Sequence, residues 1–275
     1  MIGKAIDSVL AQSFTNWELI VVDDGSTDNT KQLVEVYNDT RIRYIYQQNA
    51  ERSAARNNGI DNANGAYICF IDSDDYYLPN HLQTFIDEIN NNLHVDVFFG
   101  YNIAEIDGEL IKNKPSKLIS DFNTLEEYLM KYPLRLPASA VKRAVFENYK
   151  FNTNIRIGED VELFVRLAEK HLFKQIEAFT QVYVIHSEQS VSEKSHMAHL
   201  EHINTIKFIF KKNKSRKVFS SLFVRNTKAE CYLRLARIYF SQGKFWHGVK
   251  TVIISSFYSP CLKYKDKLYL VYSNL

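Results

Sequence analysis

Apolar residues recur along this chain with two different periods, and the switches between them outline its elements. Residues 3–13 carry Ile6, Val9 and Leu10 at helical spacing. Trp17 to Val22 is unbroken apolar sequence after Glu18, the mark of a strand buried on both faces. A helix through Leu33, Val34 and Tyr37 follows, with Ser26 or Thr27 expected as its cap. Residues 42–46 then predict a short strand, and Arg52 to Ile60 a helix with small residues on one side. Tyr67 to Ile71 again lacks polar alternation and predicts a second doubly buried strand. Helix from Leu78-Pro79, strand from Val95 to Gly100, and a hairpin or loop over 103–123 come next. Thr124-Leu125-Glu126-Glu127 has the pattern of a capping box. A short helix is expected near Phe146, another helix after Gly158, and a strand at Tyr183 to His186. Alternating helices and strands predict an α/β fold. From about residue 196 the pattern turns wholly helical, with helices at 227–243 and from Phe245 to about Tyr258.

Acids follow the two apolar runs. Asp23 and Asp24 close the first, and Asp72, Asp74 and Asp75 close the second. Open α/β sheets bind ligands at the carboxyl ends of their strands. Alternate residues of a strand point the same way, so Asp72 and Asp74 are expected to converge while Ser73 points elsewhere. Two carboxylates together suit a hard divalent cation bridging to phosphate oxygens. Taken alone, the same residues read equally as an acidic turn with Asp75 capping a helix. Glu159 and Asp160 likewise suit the first turn of a helix, where the dipole favours acids.

Bulk properties narrow the field. The chain has 275 residues, 45% hydrophobic and 24% charged, with a net charge of +2, so nothing here argues for nucleic acid as a partner. Cys69, Cys231 and Cys261 are widely spaced and predict reduced thiols in a cytoplasmic protein, not a disulfide framework or zinc site. No apolar run reaches the length of a membrane span, and the first residues lack a signal core.

The motifs in this order resemble the family 2 glycosyltransferases with the GT-A fold, typical of bacterial polysaccharide synthesis. The resemblance runs from residue 3 to about 192. It rests on Ala5-Ile6-Asp7-Ser8-Val9-Leu10, Val21 through Asp28, Ser53-Ala54-Ala55-Arg56-Asn57-Asn58-Gly59-Ile60, Phe70 through Asp75, and Gly158-Glu159-Asp160. It implies a Rossmann-like mixed sheet flanked by helices over residues 1–195 and a helical appendage over 196–275. It also implies an inverting, metal-dependent transfer of a sugar from a nucleotide-sugar, a UDP-sugar by family habit, to a glycan or lipid-linked acceptor. Asp23 or Asp24 matches the family carboxylate that holds the nucleotide base. Asp74 matches a direct ligand of Mn²⁺ or Mg²⁺, with Asp72 nearer the ribose or a metal-bound water. Asp160 matches the catalytic base, and Glu159 an acceptor-orienting acid. Arg52 and Arg56 are candidates for the nucleotide side, and His186 for a diphosphate or metal contact.

Two features depart from the family pattern. The family strand that precedes the helix at 3–13, central in the sheet, has no counterpart, which points to an incomplete N-terminus. The usual glycine between Asn49 and Ser53 is replaced by Ala50-Glu51-Arg52. Two other readings stand beside the transferase. A nucleotidyltransferase also places acids after α/β strands, but it usually carries a glycine- and lysine-rich phosphate loop, absent here. A non-catalytic nucleotide-sugar-binding or scaffold protein would need neither metal site nor base. The lysines and arginine at 211–217 and the aromatics Phe245, Trp246, Phe257 and Tyr258 suit a peripheral seat on the inner face of the cell membrane. They suit equally a solvated loop and a helical core.

Overall fold

A computed structural model describes residues 1–186 and 195–272; the end of the resemblance, near residue 192, falls outside them. The chain divides into two units, Met1–Lys117 with Tyr132–Ser187, and Leu118–Lys131 with Glu188–Leu275.

In the first unit α1 (Ile2–Leu10) buries Ala5, Ile6 and Val9. Next come β1 (Leu19–Asp24), α2 (Thr30–Glu35), β2 (Ile42–Gln47), α3 (Glu51–Asn62), β3 (Tyr67–Cys69), β4 (Tyr76–Tyr77) and α4 (His81–Asn91). A hairpin of β5 (Val97–Ile106) and β6 (Glu109–Asn113) precedes β7 (Ser139–Lys142), α6 (Glu159–Leu167) and β8 (Phe173–Ile185). The hairpin turns on Asp107 and Gly108, both at positive φ (51° and 84°), the backbone that a two-residue turn between twisted strands demands.

The expected mixed sheet forms, and it is divided. β1 and β2 pair in parallel as a two-stranded sheet. The larger sheet has the order β3-β7-β5-β8-β4, with β6 beside β5. Its β5–β8 pair is parallel and the β3–β7, β7–β5 and β4–β8 pairs are antiparallel. This is the GT-A fold implied by the resemblance. Val97, Phe98 and Phe99 of β5 are fully buried, and Phe85, Ile89 and Ile176 pack on Phe98 with Tyr67 and Cys69. Cys69 is partly buried against this cluster, and desolvation pushes its thiol up to about 12, which keeps it un-ionised.

β1 and β3 differ from expectation. Both were expected to be buried on both faces. Yet Leu19 to Val22 are half-exposed, and in β3 only Ile68 is buried. Each has a neighbouring strand on one side alone, so each lacks the cover that a central strand receives. Among the described residues no strand precedes β1. The ladder of β3 also ends at Cys69, short of Ile71. One local expectation changes as well. Asn29, not Ser26 or Thr27, is the N-cap of α2, and the Asp28 carboxylate accepts the Thr30 N–H. The short helix expected near Phe146 forms as 3₁₀ helix over Arg143–Glu147, and the segment before it, for which no element was expected, is the interior strand β7.

The second unit holds α5 (Leu125–Lys131), α7 (His196–Lys212), α8 (Ser221–Ser241), α9 (Phe245–Tyr258) and α10 (Tyr264–Tyr272). Gly243 at φ 69° ends α8, as a left-handed stop does. Ala236, Phe240 and Val252 form a core with Phe245, Val249, Leu270 and Val271. The Thr124 hydroxyl caps α5 through the Glu127 N–H. The Glu127 carboxylate, the other half of the predicted box, instead accepts the N–H of Ser220, the N-cap of α8.

Candidate active site

Asp72 to Asp75 leave the strand and form a turn closed by the Asp75 N–H on the Asp72 carbonyl at 3.1 Å. The alternation argument for Asp72 and Asp74 therefore fails, because those residues are no longer extended. Each carboxylate is held by a different partner. Asp72 Oδ1 accepts Arg56 Nη2 at 3.1 Å, and Asp74 Oδ2 lies 3.1 Å from His186 Nε2. Both acids remain partly open to solvent, with the Asp72 side chain 43% and the Asp74 side chain 28% exposed.

Asp75 is the member of the triplet that sequence alone misassigns. It is not a helix cap. It is buried, and its carboxylate accepts the Val184 N–H and Gln181 Nε2, both at 3.0 Å. β4 pairs Tyr76 with Val182 immediately beyond, so Asp75 extends the ladder by a side chain and fastens the acidic turn to the strand that leads to His186. Burial pushes its pKa up to about 7; the Val184 N–H opposes the shift, while the neighbouring Asp72 and Asp74 reinforce it.

Arg56, on α3, joins this turn to the start of α6. Its Nη1 donates to Glu159 Oε1 at 2.7 Å while Nη2 holds Asp72. Arg52, one turn earlier, approaches Glu159 at 3.6 Å. Gly158 at φ 79° is the N-cap of α6 and turns the chain so that Glu159 enters the interior. Burial and the adjacent Asp160 push the Glu159 carboxyl above its ordinary value against the pull of Arg56 and Arg52. Burial also opposes the charge on Arg56, yet Asp72, Glu159 and Asp160 outweigh it and hold the guanidinium ionised. Asp160 stands half-buried beside this network. Among the described residues it accepts the Val161 N–H, at 2.8 Å, and no other hydrogen bond.

Asp23 and Asp24 end β1 with both carboxylates engaged. Asp23 takes the Tyr44 hydroxyl and the Ser26 N–H. Its burial works against ionisation, but these donors and the Gly25 N–H leave the carboxyl below its ordinary value. Asp24 accepts Gln47 Nε2 at 2.6 Å and the N–H of Ala50, the N-cap of α3, at 2.9 Å. Gly25 at φ 79° lets the loop pass close to Asn49; a Cβ there would meet the Asn49 nitrogen at 2.8 Å. Tyr44 and Gln47 gave no signal in the sequence, since a strand's partner is fixed by pairing across the sheet.

Among the described residues no group of three His, Cys, Asp or Glu side chains could hold a metal ion. The pair Asp74–His186, with Asp72 two residues away, still fits Mn²⁺ or Mg²⁺. A cation that works on phosphates is commonly held by one or two carboxylates, with phosphate oxygens and water completing its shell.

Residues 1–149 match the family described as Glycosyl transferase family 2, and the chain belongs to that family. It is 31% identical over 196 residues to a putative colanic acid biosynthesis glycosyl transferase, WcaA, of Escherichia coli, covering 69% of this chain and 70% of that protein. It is 32% identical over 199 residues to a GalNAc(5)-diNAcBac-PP-undecaprenol β-1,3-glucosyltransferase of Campylobacter jejuni, covering 70% and 63%. An uncharacterized glycosyltransferase of Rickettsia felis is 34% identical over 169 residues, but the match takes in 28% of its length; this chain spans a fraction of such relatives. Among solved structures, S. aureus TarS 1–349 superimposes with a TM-score of 0.64 at 18% identity, over 98% of this chain and 77% of that one. A mannosyltransferase of Pyrobaculum calidifontis, solved with GDP-Man and Mn²⁺, superimposes with a TM-score of 0.57 at 14% identity, over 98% and 81%. These likenesses support the fold.

Proposed function

We propose that this chain is an inverting glycosyltransferase of polysaccharide synthesis. It moves a sugar from a nucleoside-diphosphate sugar, with UDP as the favoured nucleotide, to a hydroxyl of a glycan or lipid-linked acceptor. The observation that carries this reading is the Arg56 bridge. One guanidinium ties Asp72, in the acidic turn, to Glu159, next to Asp160. Glycosyl transfer needs a diphosphate that departs and a base that removes a proton, and the bridge ties together the two segments that carry the candidates for these tasks, the turn with Asp74 and the start of α6 with Asp160.

In this reading Asp160 accepts the proton of the acceptor hydroxyl as its oxygen attacks the anomeric carbon from the face opposite the diphosphate. The new C–O bond forms while the bond to the diphosphate oxygen breaks, and its electron pair leaves with the diphosphate. A single displacement inverts the anomeric centre. Asp74 and His186 would hold Mn²⁺ or Mg²⁺, which when bound offsets charge on the leaving diphosphate. Asp72, oriented by Arg56, would serve the ribose or the water shell of that cation. Glu159, held by Arg56 and Arg52, keeps the start of α6 in place for the acceptor. Asp23 and Asp24, held by Tyr44 and Gln47, shape the base site. UDP-GlcNAc in a TarS structure and undecaprenol diphosphate in the name of the Campylobacter relative support the donor and acceptor classes.

The test is a thermal-shift titration with UDP, GDP and CMP, with and without Mn²⁺. A nucleotide at a hundred times its Kd is expected to stabilise the fold by about 2.7 kcal/mol, and Asp74→Ala is expected to abolish the Mn²⁺-dependent part. Asp160→Asn is expected to keep that shift and lose about a thousandfold in transfer rate. Unchanged turnover in Asp160→Asn rejects the base assignment. No shift with any nucleotide rejects the transferase reading.

A further inference from the structure

Helix α9 is turned inside out. A helix on a soluble unit normally buries its large apolar side chains and exposes small and polar ones. Here Gly248, Thr251, Val252 and Ser255 are the buried residues. Gly248 lies so close to Phe240 that a Cβ would come within 2.6 Å of its ring, and Ser255 Oγ donates to the Ala229 carbonyl at 2.8 Å. Small residues thus bring α9 against α8 and direct the opposite face outward. That face carries Trp246, Lys250, Ile253 and Phe257, spaced by four, three and four residues. Trp246 is 77%, Ile253 64% and Phe257 82% exposed.

The stretch of sequence that carries this stripe has charge of one sign. Between Glu230 and Asp266 the sequence holds arginines and lysines and no aspartate or glutamate. The far end of α9 lies beside the first turns of α8, where Arg225 Nε donates to the Tyr258 carbonyl at 2.9 Å and Ser259 Oγ to Asn226 Oδ1 at 2.8 Å. Leu222, exposed at 67%, sits in those same turns. The segment just before them exposes Lys211, Lys212, Lys214 and Lys217. Large apolar side chains and exposed lysines therefore share one end of the helical unit, where Arg216 pairs with Glu126 of α5.

We propose that the outward face of α9, with the lysine-rich turn between α7 and α8, docks on an anionic lipid surface. Tryptophan and phenylalanine insert at the level of the headgroups, and lysines pair with lipid phosphates. Two copies of this face brought together would juxtapose their lysines, which disfavours a homodimer. At 14 residues, α9 is about 21 Å long and too short to cross a bilayer. No described helix is long and apolar enough to do so. The proposal stands on the helical unit and is independent of the donor chemistry.

Co-sedimentation of the full chain with vesicles of phosphatidylcholine, alone or mixed with phosphatidylglycerol, tests it. The chain is expected to sediment with the anionic vesicles, to release in high salt, and to shift Trp246 emission to shorter wavelength. Phe257→Ser and Trp246→Ser each leave one large apolar side chain fewer to bury, and each is expected to weaken binding about tenfold. Lys250→Glu is expected to weaken it as well. All three positions are exposed, so unchanged thermal midpoints establish that the variants are folded. No sedimentation with anionic vesicles, or variants that bind like the parent, overturns the proposal. A lipid-free dimer in ultracentrifugation that Phe257→Ser dissociates overturns it too, assigning the face to a second copy. Nucleotide-induced thermal shifts of the same preparation, without vesicles, report separately on the transferase reading.

Discussion

Arg56 holds two carboxylates whose parent elements lie 16 and 103 residues away in sequence. Glu159 is almost wholly buried and would lose its closest cation in Arg56→Ala, leaving Arg52 at 3.6 Å. Removing one partner of a buried pair costs about 3 kcal/mol, a loss that urea denaturation can measure. Turnover is expected to fall with it, and Arg56→Lys to recover part of the stability but less of the activity, since a lysine is a point charge without the planar fork. Equal stability of Arg56→Ala and the parent refutes the bridge. His81 allows a pH prediction. It is fully buried, stacked on Tyr77 with ring centroids 3.7 Å apart, and its Nδ1 lies 2.9 Å from Thr180 Oγ1. Burial drives its pKa down to about 3. The unfolded chain therefore takes up a proton that the folded chain refuses. Stability is intact above an unfolded pKa near 6.5 and falls by about 1.4 kcal/mol for each pH unit below it, down to the folded pKa. His81→Phe keeps the stack and is expected to flatten that slope in melting curves recorded between neutral and acid pH.

At the scale of elements, the acidic turn gains its position from β8 through Asp75. Asp75→Ala leaves the Val184 N–H without its acceptor and is expected to cost about 1–3 kcal/mol. Asp75→Asn retains an oxygen for Val184, and a rotated Gln181 amide can accept from the new Nδ2, because among the described residues Gln181 Oε1 has no hydrogen-bond partner in the parent. The asparagine variant is therefore expected to keep most of the parent's Mn²⁺ dependence and the alanine variant to raise the Mn²⁺ concentration needed for half-maximal activity. Equal metal dependence in the two variants would remove the positioning role. α6 shows the complementary device. Its glycine N-cap bends the chain, and its first two residues divide the labour: Glu159 turns inward to Arg56, and Asp160 stays at the half-buried rim.

For the whole molecule, the division into two units sets what a single measurement reports. Each unit has its own buried cluster, around Phe98 in one and Ala236 and Phe240 in the other. Two-state treatment of a single unfolding curve is unsafe for such a chain. Leu233→Ala opens a cavity in α8, where Leu233 is 2% exposed, and is expected to lower the helical unit's stability by about 2–5 kcal/mol. Circular dichroism in a urea titration follows this change. The nucleotide-induced shift, which belongs to the first unit, is expected to persist; its disappearance would mean that the units unfold as one.

Sequence by itself determined the alternating α/β order, which rests on short-range periodicity, and its ordered motifs carried the resemblance to the family and named the candidate residues of the site. Most helices of the second unit were equally legible, since Gly243 and the 3.6-residue period are local signals. Tertiary structure decided what depends on pairing across the sheet or packing across helices. It set the exposure of β1 and β3, which hangs on how many strands flank them. It recruited β7, whose four residues are too short to announce themselves. It gave Asp75 to β8 and not to a helix cap, and it aimed Trp246 and Phe257 outward. An apolar residue at helical spacing says that a face exists. Which face is covered depends on the size of the residues opposite, and at Gly248 and Ser255 small size brings α8 close and leaves the larger side chains outside.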